Sequence, residues 1–243
     1  VGYGLSEQPA RLERFVWGET LDLSPIGLRL RIRSSWGNGE LRVGVLGRFN
    51  ASNLLAALAT LLVLDLPLSE ALTRLARTVP VPGRMEQLGG EFNQPLAVID
   101  YAHTPHALEQ ALGALREHGG KRLWCVFGCG GGRDPGKRPL MGAIAERCAD
   151  QVIVTDDNPR TEDPDRIVVD ILAGMQQPEA VEVIRDRQAA IAHALAEATV
   201  GDIVLIAGKG HEDYQIIGTE RRPFSDRAVV QHCLSSQHSV EST

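Results

Sequence analysis

A chain of 243 residues is long enough for one large domain, or for one domain and part of another. With 43% apolar and 23% charged residues it has the composition of a chain that buries a core, and a formal charge of −6 excludes a nucleic-acid binder held by a net basic field. No run approaches the ~18 unbroken apolar residues of a membrane span, and no secretory signal opens the chain, so neither nucleic acid nor membrane is an expected partner.

In chain order, residues 1–46 carry apolar runs broken by glycine: Leu21–Leu23, Leu28–Ile32 and Leu41–Val45. Arg29, Arg31 and Arg33 alternate with Leu28, Leu30 and Ile32, the period-two pattern of a strand with one buried face. The chain begins at Val1 without Met and enters strand-like sequence at once, which suggests a piece of something longer. Asn53 to Leu64 follows, with Leu54, Leu58, Leu61 and Leu62 at helical spacing, and Ser69–Arg77 reads as a shorter helix with Ser69 as its N-cap. Val79-Pro80-Val81-Pro82-Gly83 cannot continue a helix, because neither proline has a donor and each biases its predecessor toward extended geometry. A domain boundary is expected there, dividing the chain into residues 1–80 and 81–243.

Beyond the boundary strands and helices alternate. Leu96–Ile99, Leu123–Phe127, Val152–Thr155, Val181–Ile184 and Ile203–Ala207 read as apolar strands. Helices are expected from Pro105 to about His118 with Thr104-Pro105 opening it, from Pro139 to Cys148, from Pro164 to Met175 and from Ala189 to Ala198. Such an alternation predicts an α/β fold, a Rossmann-like, mostly parallel sheet covered by helices on both faces. The polar tail Ser235–Thr243 is expected to be disordered. Cys125, Cys129, Cys148 and Cys233 form no Cys-x-x-Cys pair and no zinc spacing, so small, reduced thiols and a cytoplasmic location are expected.

Ligands of open α/β sheets sit at the carboxyl ends of the strands, and here those ends are rich in chemistry. They carry Asp100-Tyr101-Ala102-His103-Thr104-Pro105, Gly128-Cys129-Gly130-Gly131-Gly132-Arg133-Asp134, Asp156-Asp157-Asn158-Pro159-Arg160 and Gly208-Lys209-Gly210-His211-Glu212. Turns of this kind are always polar and glycine-rich, which accounts for the glycines but not for an Arg, His or Glu at nearly every one. Gly131 to Lys137 fits G-x-x-x-x-G-K, yet Arg138 stands where a working phosphate loop needs Ser or Thr, so that reading is rejected. What remains is a flexible loop whose Arg133, Lys137 and Arg138 suit a carboxylate or phosphate, with an Arg133–Asp134 ion pair as the plainer alternative. Asp157-Asn158-Pro159-Arg160 suits a zwitterion, with Arg160 gripping a carboxylate while Asp157 and Glu212 accept an ammonium. Asp-Asn-Pro is also an ordinary turn.

Together with Pro82-Gly83-Arg84-Met85-Glu86 and Lys137-Arg138-Pro139-Leu140-Met141, these segments occur in an order that resembles the C-terminal half of a Mur ligase, in the branch that adds meso-diaminopimelate. The resemblance covers nearly the whole chain. Residues 1–80, through Gly47-Arg48-Phe49-Asn50 and Asn53, look like the end of a central ATPase domain, and residues 81–243 like an amino-acid-binding ligase domain. It implies an ATP-dependent ligase of peptidoglycan synthesis, with ATP and Mg as cofactors and UDP-MurNAc-L-Ala-D-Glu and meso-diaminopimelate as substrates. ATP would activate the D-glutamate γ-carboxylate as an acyl phosphate, which the amine of the added amino acid attacks. It further implies that Arg133, Asp157, Asn158, Pro159, Arg160, Gly208 and Glu212 hold diaminopimelate, while Arg84, Asp100, Tyr101 and His103 face the nucleotide. Arg160 would discriminate diaminopimelate from lysine, which lacks one carboxylate.

The Gly-Thr-x-Gly-Lys-Thr phosphate loop, modified lysine and acidic Mg ligands of the family do not occur in this sequence. The chain alone is therefore expected to bind substrate without catalysing. Alternatives are a lysine-adding or folylpolyglutamate-type ligase domain, or a free-standing, non-enzymatic binding module.

Overall fold

Pro80 and Pro82 interrupt every hydrogen-bonded ladder that could cross them. The computed structural model describes residues 1–5, 12–91 and 93–240, with side chains through 236. It divides there into one unit of Val1–Pro80 with Glu117–Gly119 and a second of Val81–Arg116 with Gly120–Thr243.

In the first unit β1 (Gly2–Gly4), β2 (Phe15–Ser24), β3 (Gly27–Ser34) and β4 (Gly37–Val43) form a sheet in that order, β1 parallel to β2 and the rest antiparallel. The alternation read in β3 is what the sheet uses: Leu28, Leu30 and Ile32 are buried and Arg29, Arg31 and Arg33 exposed. Helices α1 (Arg48–Val63) and α2 (Leu68–Leu75) cover the apolar face, where Leu30, Ile32 and Leu41 meet Leu55, Leu58, Leu62 and Ala71. Strand β2 is much longer than the Leu21–Leu23 run, because a bulge between Gly18 and Thr20 resets its register and hides its period. Ser69 does not cap α2. Pro67, at φ −55°, takes the cap position two residues earlier, and no side chain caps the helix.

The second unit runs β5 (Glu86–Gly89), β6 (Leu96–Asp100), α3 (Pro105–Glu117), β7 (Leu123–Phe127), α4 (Lys137–Cys148), β8 (Gln151–Val154), α5 (Pro164–Leu172), β9 (Glu182–Val183), α6 (Arg187–Glu197), β10 (Ile203–Ala207), the hairpin β11 (Tyr214–Ile217) and β12 (Glu220–Pro223), and α7 (Asp226–Val240). The sheet order is β5-β6-β10-β7-β8-β9, parallel except for the antiparallel edge strand β5. Because β10 returns between β6 and β7, the carboxyl ends of the three most central strands lie side by side. Connections through α3, α4 and α5 all step one way along the sheet, so right-handed crossovers place them on one face. The return through α6 puts it on the other, where Ala190, Ile191, Ala194 and Leu195 bury against Ile99, Val126, Val204 and Ile206, joined by Val230 of α7.

Helices α3 and α5 start where the sequence signals put them, at Pro105 and Pro164, whereas α4 and α6 begin two residues before the expected Pro139 and Ala189, at Lys137 and Arg187. Thr104 accepts from the Ala107 N–H at the mouth of α3, Asp163 from Asp165 N ahead of Pro164, and Asp186 from Ala189 N. The tail departs from expectation, since residues 235–240, thought disordered, continue α7 and residues 241–243 lie outside the described set. Among the described residues no helix is long and apolar enough to cross a membrane.

Candidate functional site

The carboxyl-end turns of β6, β7, β8 and β10 enclose a cavity of about 500 Å³ within the second unit, lined by Tyr101, His103, Thr104, Gly128, Gly130, Arg133, Asp134, Lys137, Asp157, Asn158, Arg160, Gly208 and Glu212. Thus Arg133, Asp157, Asn158, Arg160, Gly208 and Glu212 share one wall system with Tyr101 and His103, while Pro159, Arg84 and Asp100 do not line it.

The β8 turn is held by the β11–β12 hairpin, which sequence periodicity did not reveal. Gln215 Nε2 donates to the carbonyls of Asp156 (3.3 Å) and Asp157 (2.8 Å), and Ile216 N donates to Asn158 Oδ1 at 2.9 Å. Arg160 N donates to Ile216 O, and Gly218 N to Arg160 O. These bonds hold Arg160 at φ +53°, a left-handed backbone that a non-glycine residue rarely adopts. Its guanidinium then lies along the glycine loop, with one nitrogen donating to Gly131 O at 2.8 Å and no carboxylate partner among the described residues. Arg133 is exposed and makes no ion pair with Asp134 among the described residues, and Asp134 Oδ1 instead accepts from Gly136 N.

Opposite these cations stand Asp157 and Glu212. Burial pushes the Asp157 carboxyl above its ordinary range, with Arg187 and Lys209 pulling the other way. Gly208, at φ +117°, lets the β10 turn close on it: a Cβ there would lie 2.7 Å from Asp157 Oδ2. Asn158 is nearly saturated, since Nδ2 donates to Glu212 Oε2 at 3.0 Å while Oδ1 accepts from Ile216 N and, at 3.3 Å, from Lys209 Nζ. Lys209 is wholly buried and also bonds Glu212 Oε2 at 3.1 Å, a role the sequence signalled only by placing a lysine between two turn glycines.

One residue of the loop is reassigned. Arg138 is not a loop cation waiting for an anion. It is buried in the first turn of α4, bidentate to Glu162 (2.7 Å to each oxygen) and bonded to Asp170 at 2.8 Å. Glu162 Oε2 also accepts from Gly132 N at 2.9 Å, so the ion pair anchors the glycine loop to the α5 side. Lys137, by contrast, reaches into the cavity wall and donates to His103 O at 2.7 Å.

Beside the cavity, Gly83 at φ +69° presses the Pro82–Arg84 turn onto the Gly210–His211 backbone, where any Cβ would overlap. Arg84 stacks over the Tyr101 ring at 4.5 Å, and Tyr101 contacts the His103 and His211 rings at 4.5 and 5.7 Å. This aromatic and guanidinium shelf could stack a flat heterocycle. Asp100 has a local duty, because Oδ2 accepts from the N–H of Met85 at 2.9 Å, where the backbone turns at φ +47°. The thiols are chemically quiet: all are free, and burial pushes Cys129 up to about 12 and Cys125 higher still. Among the described residues no group of His, Cys, Asp and Glu is arranged to hold a metal ion. What the cavity can do chemically is grip carboxylates with Arg133 and Arg160 and an ammonium with Asp157 and Glu212.

Residues 83–210 match the family described as "Mur ligase, glutamate ligase domain". The chain is 52% identical over 238 residues to a UDP-N-acetylmuramoyl-L-alanyl-D-glutamate–2,6-diaminopimelate ligase of Chromobacterium violaceum, covering 97% of this chain and 47% of that protein. A solved structure of an enzyme of that same name superposes with a TM-score of 0.77 at 40% identity, over 96% of this chain and 47% of the other. A folylpolyglutamate synthase of Thermotoga maritima is similar at 25% identity and a TM-score of 0.61, over 81% of this chain and 44% of the other. The chain therefore spans about half the length of the relatives it matches.

Proposed function

The chain belongs to the Mur ligase family, and from that premise we propose that it is the acceptor-binding portion of an ATP-dependent ligase that joins meso-diaminopimelate to UDP-MurNAc-L-Ala-D-Glu. The observation that carries this reading is the pairing, in one cavity, of Arg133 and Arg160 with Asp157 and Glu212. A zwitterionic end of an amino acid needs that set. Arg160, bent toward the pocket by its left-handed backbone, and Arg133 take the carboxylate. Asp157 and Glu212 take the ammonium of the same end.

Diaminopimelate carries two such ends, so gripping one leaves the amine of the other free to attack an acyl phosphate formed with ATP on the D-glutamate γ-carboxylate. Lysine has only one such end: when its α-amine is the one presented to the acyl phosphate, its other end offers the pocket an ammonium without the carboxylate and leaves Arg160 with only backbone partners. The Arg84–Tyr101 shelf suits the adenine or ribose side of the nucleotide, with His103 at the cavity rim. The family's phosphate loop does not occur in these 243 residues, so this chain taken alone is read as binding without turning over. Its free thiols fit a reducing, cytoplasmic setting.

The test is product formation by the full-length protein, followed by mass spectrometry, from UDP-MurNAc-L-Ala-D-Glu and ATP with meso-diaminopimelate, lysine or glutamate as the third substrate. Addition of diaminopimelate alone is expected. Preferential use of lysine or glutamate would assign the protein to another branch, and no product with any acceptor would refute the reading.

A further inference from the structure

Behind the cavity wall lies a closed group of charges. Among the described residues, the charged groups that bear on Asp157 are Arg187, Lys209, Glu212 and Asp226. Arg187 and Asp226 are both fully buried and paired, Nε to Oδ1 at 2.7 Å and a terminal nitrogen to Oδ2 at 2.8 Å, so they neutralise each other. That leaves Lys209, among the described residues, as the buried cation behind the two carboxylates, Asp157 and Glu212, that face the pocket. Its ammonium is 0% exposed, lies against the Tyr214 ring at 5.5 Å, and bonds both Asn158 Oδ1 and Glu212 Oε2. It cannot touch a ligand directly. Yet the side chains it bonds, Asn158 and Glu212, line the pocket, and the ring it lies against, Tyr214, belongs to the hairpin that fixes that wall.

We propose that Lys209 is a positioning residue for the acceptor site: from behind the wall it locks the Asn158 and Glu212 side chains in their binding orientation and holds the Asp157–Glu212 pair one positive charge short of neutrality. The incoming ammonium supplies that charge. Removing the lysine would leave Asp157 and Glu212 without a cation behind the wall, and Asp157, which Lys209 pulls down against the effect of burial, would hold its proton more tightly and lose its grip on an ammonium. This inference rests on the acceptor reading of the pocket given above.

Lys209→Met in the full-length enzyme tests it, with Lys209→Gln, which keeps a donor of similar reach, carrying the measurement should the Met variant not fold. The KM for diaminopimelate is expected to rise on the order of tenfold to a hundredfold, as for loss of a charge-assisted contact, with the KM for ATP essentially unchanged. The acid limb of kcat/KM for the acceptor is expected to move to higher pH. Combining Lys209→Met with Glu212→Gln is expected to be strongly non-additive in KM. A KM for the acceptor within twofold of wild type, additive effects, or a lowered melting temperature with the acid limb in place would each overturn the proposal. Wild-type enzyme that forms no diaminopimelate adduct would instead bring down the functional reading, and this inference with it.

Discussion

Arg160 concentrates the argument at the residue scale. A left-handed backbone at a non-glycine residue persists only where surrounding bonds over-determine it, and here the Ile216 carbonyl and the Gly218 N–H do so. Arg160→Ala in the full-length enzyme should raise the KM for diaminopimelate by roughly 30- to 1,000-fold, the loss of a bidentate charged contact, and should leave the weak binding of lysine nearly as it was. Steady-state kinetics with both acceptors measures this. Asp157 offers a second check, with a sign. Its folded carboxyl is raised above its ordinary value, chiefly by burial. The folded state thus holds its proton more tightly than the unfolded chain, and stability falls as pH climbs through the raised value. Asp157→Asn should therefore raise the melting temperature at neutral pH while weakening acceptor binding, which thermal scans and kinetics on one preparation separate. The individual residue types of this site were legible in the sequence, because Arg, Asp and Glu at strand ends have few other reasons to gather. Their secondary duties were not: nothing in the order of letters says that Asp100 serves the Met85 N–H or that Arg138 is buried.

Elements place those residues, and two of them act as clamps. Arg138 at the start of α4 ties Glu162 and Asp170 and, through Glu162, the Gly132 N–H of the loop. Arg138→Leu should lower stability by about 1–3 kcal/mol, as for charged hydrogen bonds lost to carboxylates that are themselves partly exposed, readable in denaturant unfolding. The Arg138 guanidinium, with the Gly132 N–H second, holds the Glu162 carboxyl well down, at about 2 against its ordinary 4.5. A depressed carboxylate stabilises above its unfolded value and loses that contribution as pH falls toward the folded one. The wild-type melting temperature should thus drop between about pH 4.5 and 2, and Arg138→Leu should flatten that part of the slope. The hairpin β11–β12 is the other clamp. Gln215→Ala removes two side-chain bonds to the Asp156 and Asp157 carbonyls and should cost about 1–2 kcal/mol, with a raised KM for the acceptor. Strands with continuous apolar runs, β6, β7 and β10, were readable almost to the residue, since a doubly covered parallel strand has no polar face to confuse the pattern. The hairpin was not, because Tyr214–Ile217 and Glu220–Pro223 are partly or wholly exposed and carry no apolar period. The antiparallel edge strand β5 escaped for the same reason.

At the scale of the whole molecule, an acidic chain with a net charge of −6 offers a site to a carboxylate only where the fold gathers a few cations at one rim. Inserting β10 between β6 and β7 does this: it sets the Gly208–Glu212 turn beside the β7 and β8 turns that bring Arg133 and Arg160. That sheet order cannot be read from the strand sequence, although the alternation of strands and helices can. The central claim is that this rim recognises both charges of one amino-acid end. Calorimetric titration of the full-length protein with meso-diaminopimelate and with L-lysine tests it most directly. Diaminopimelate is expected to bind at least about tenfold more tightly, the worth of one charged hydrogen-bonded contact, and Arg160→Ala to erase the difference. Equal affinities in the wild type, or a preference that survives the loss of Arg160, would contradict the account.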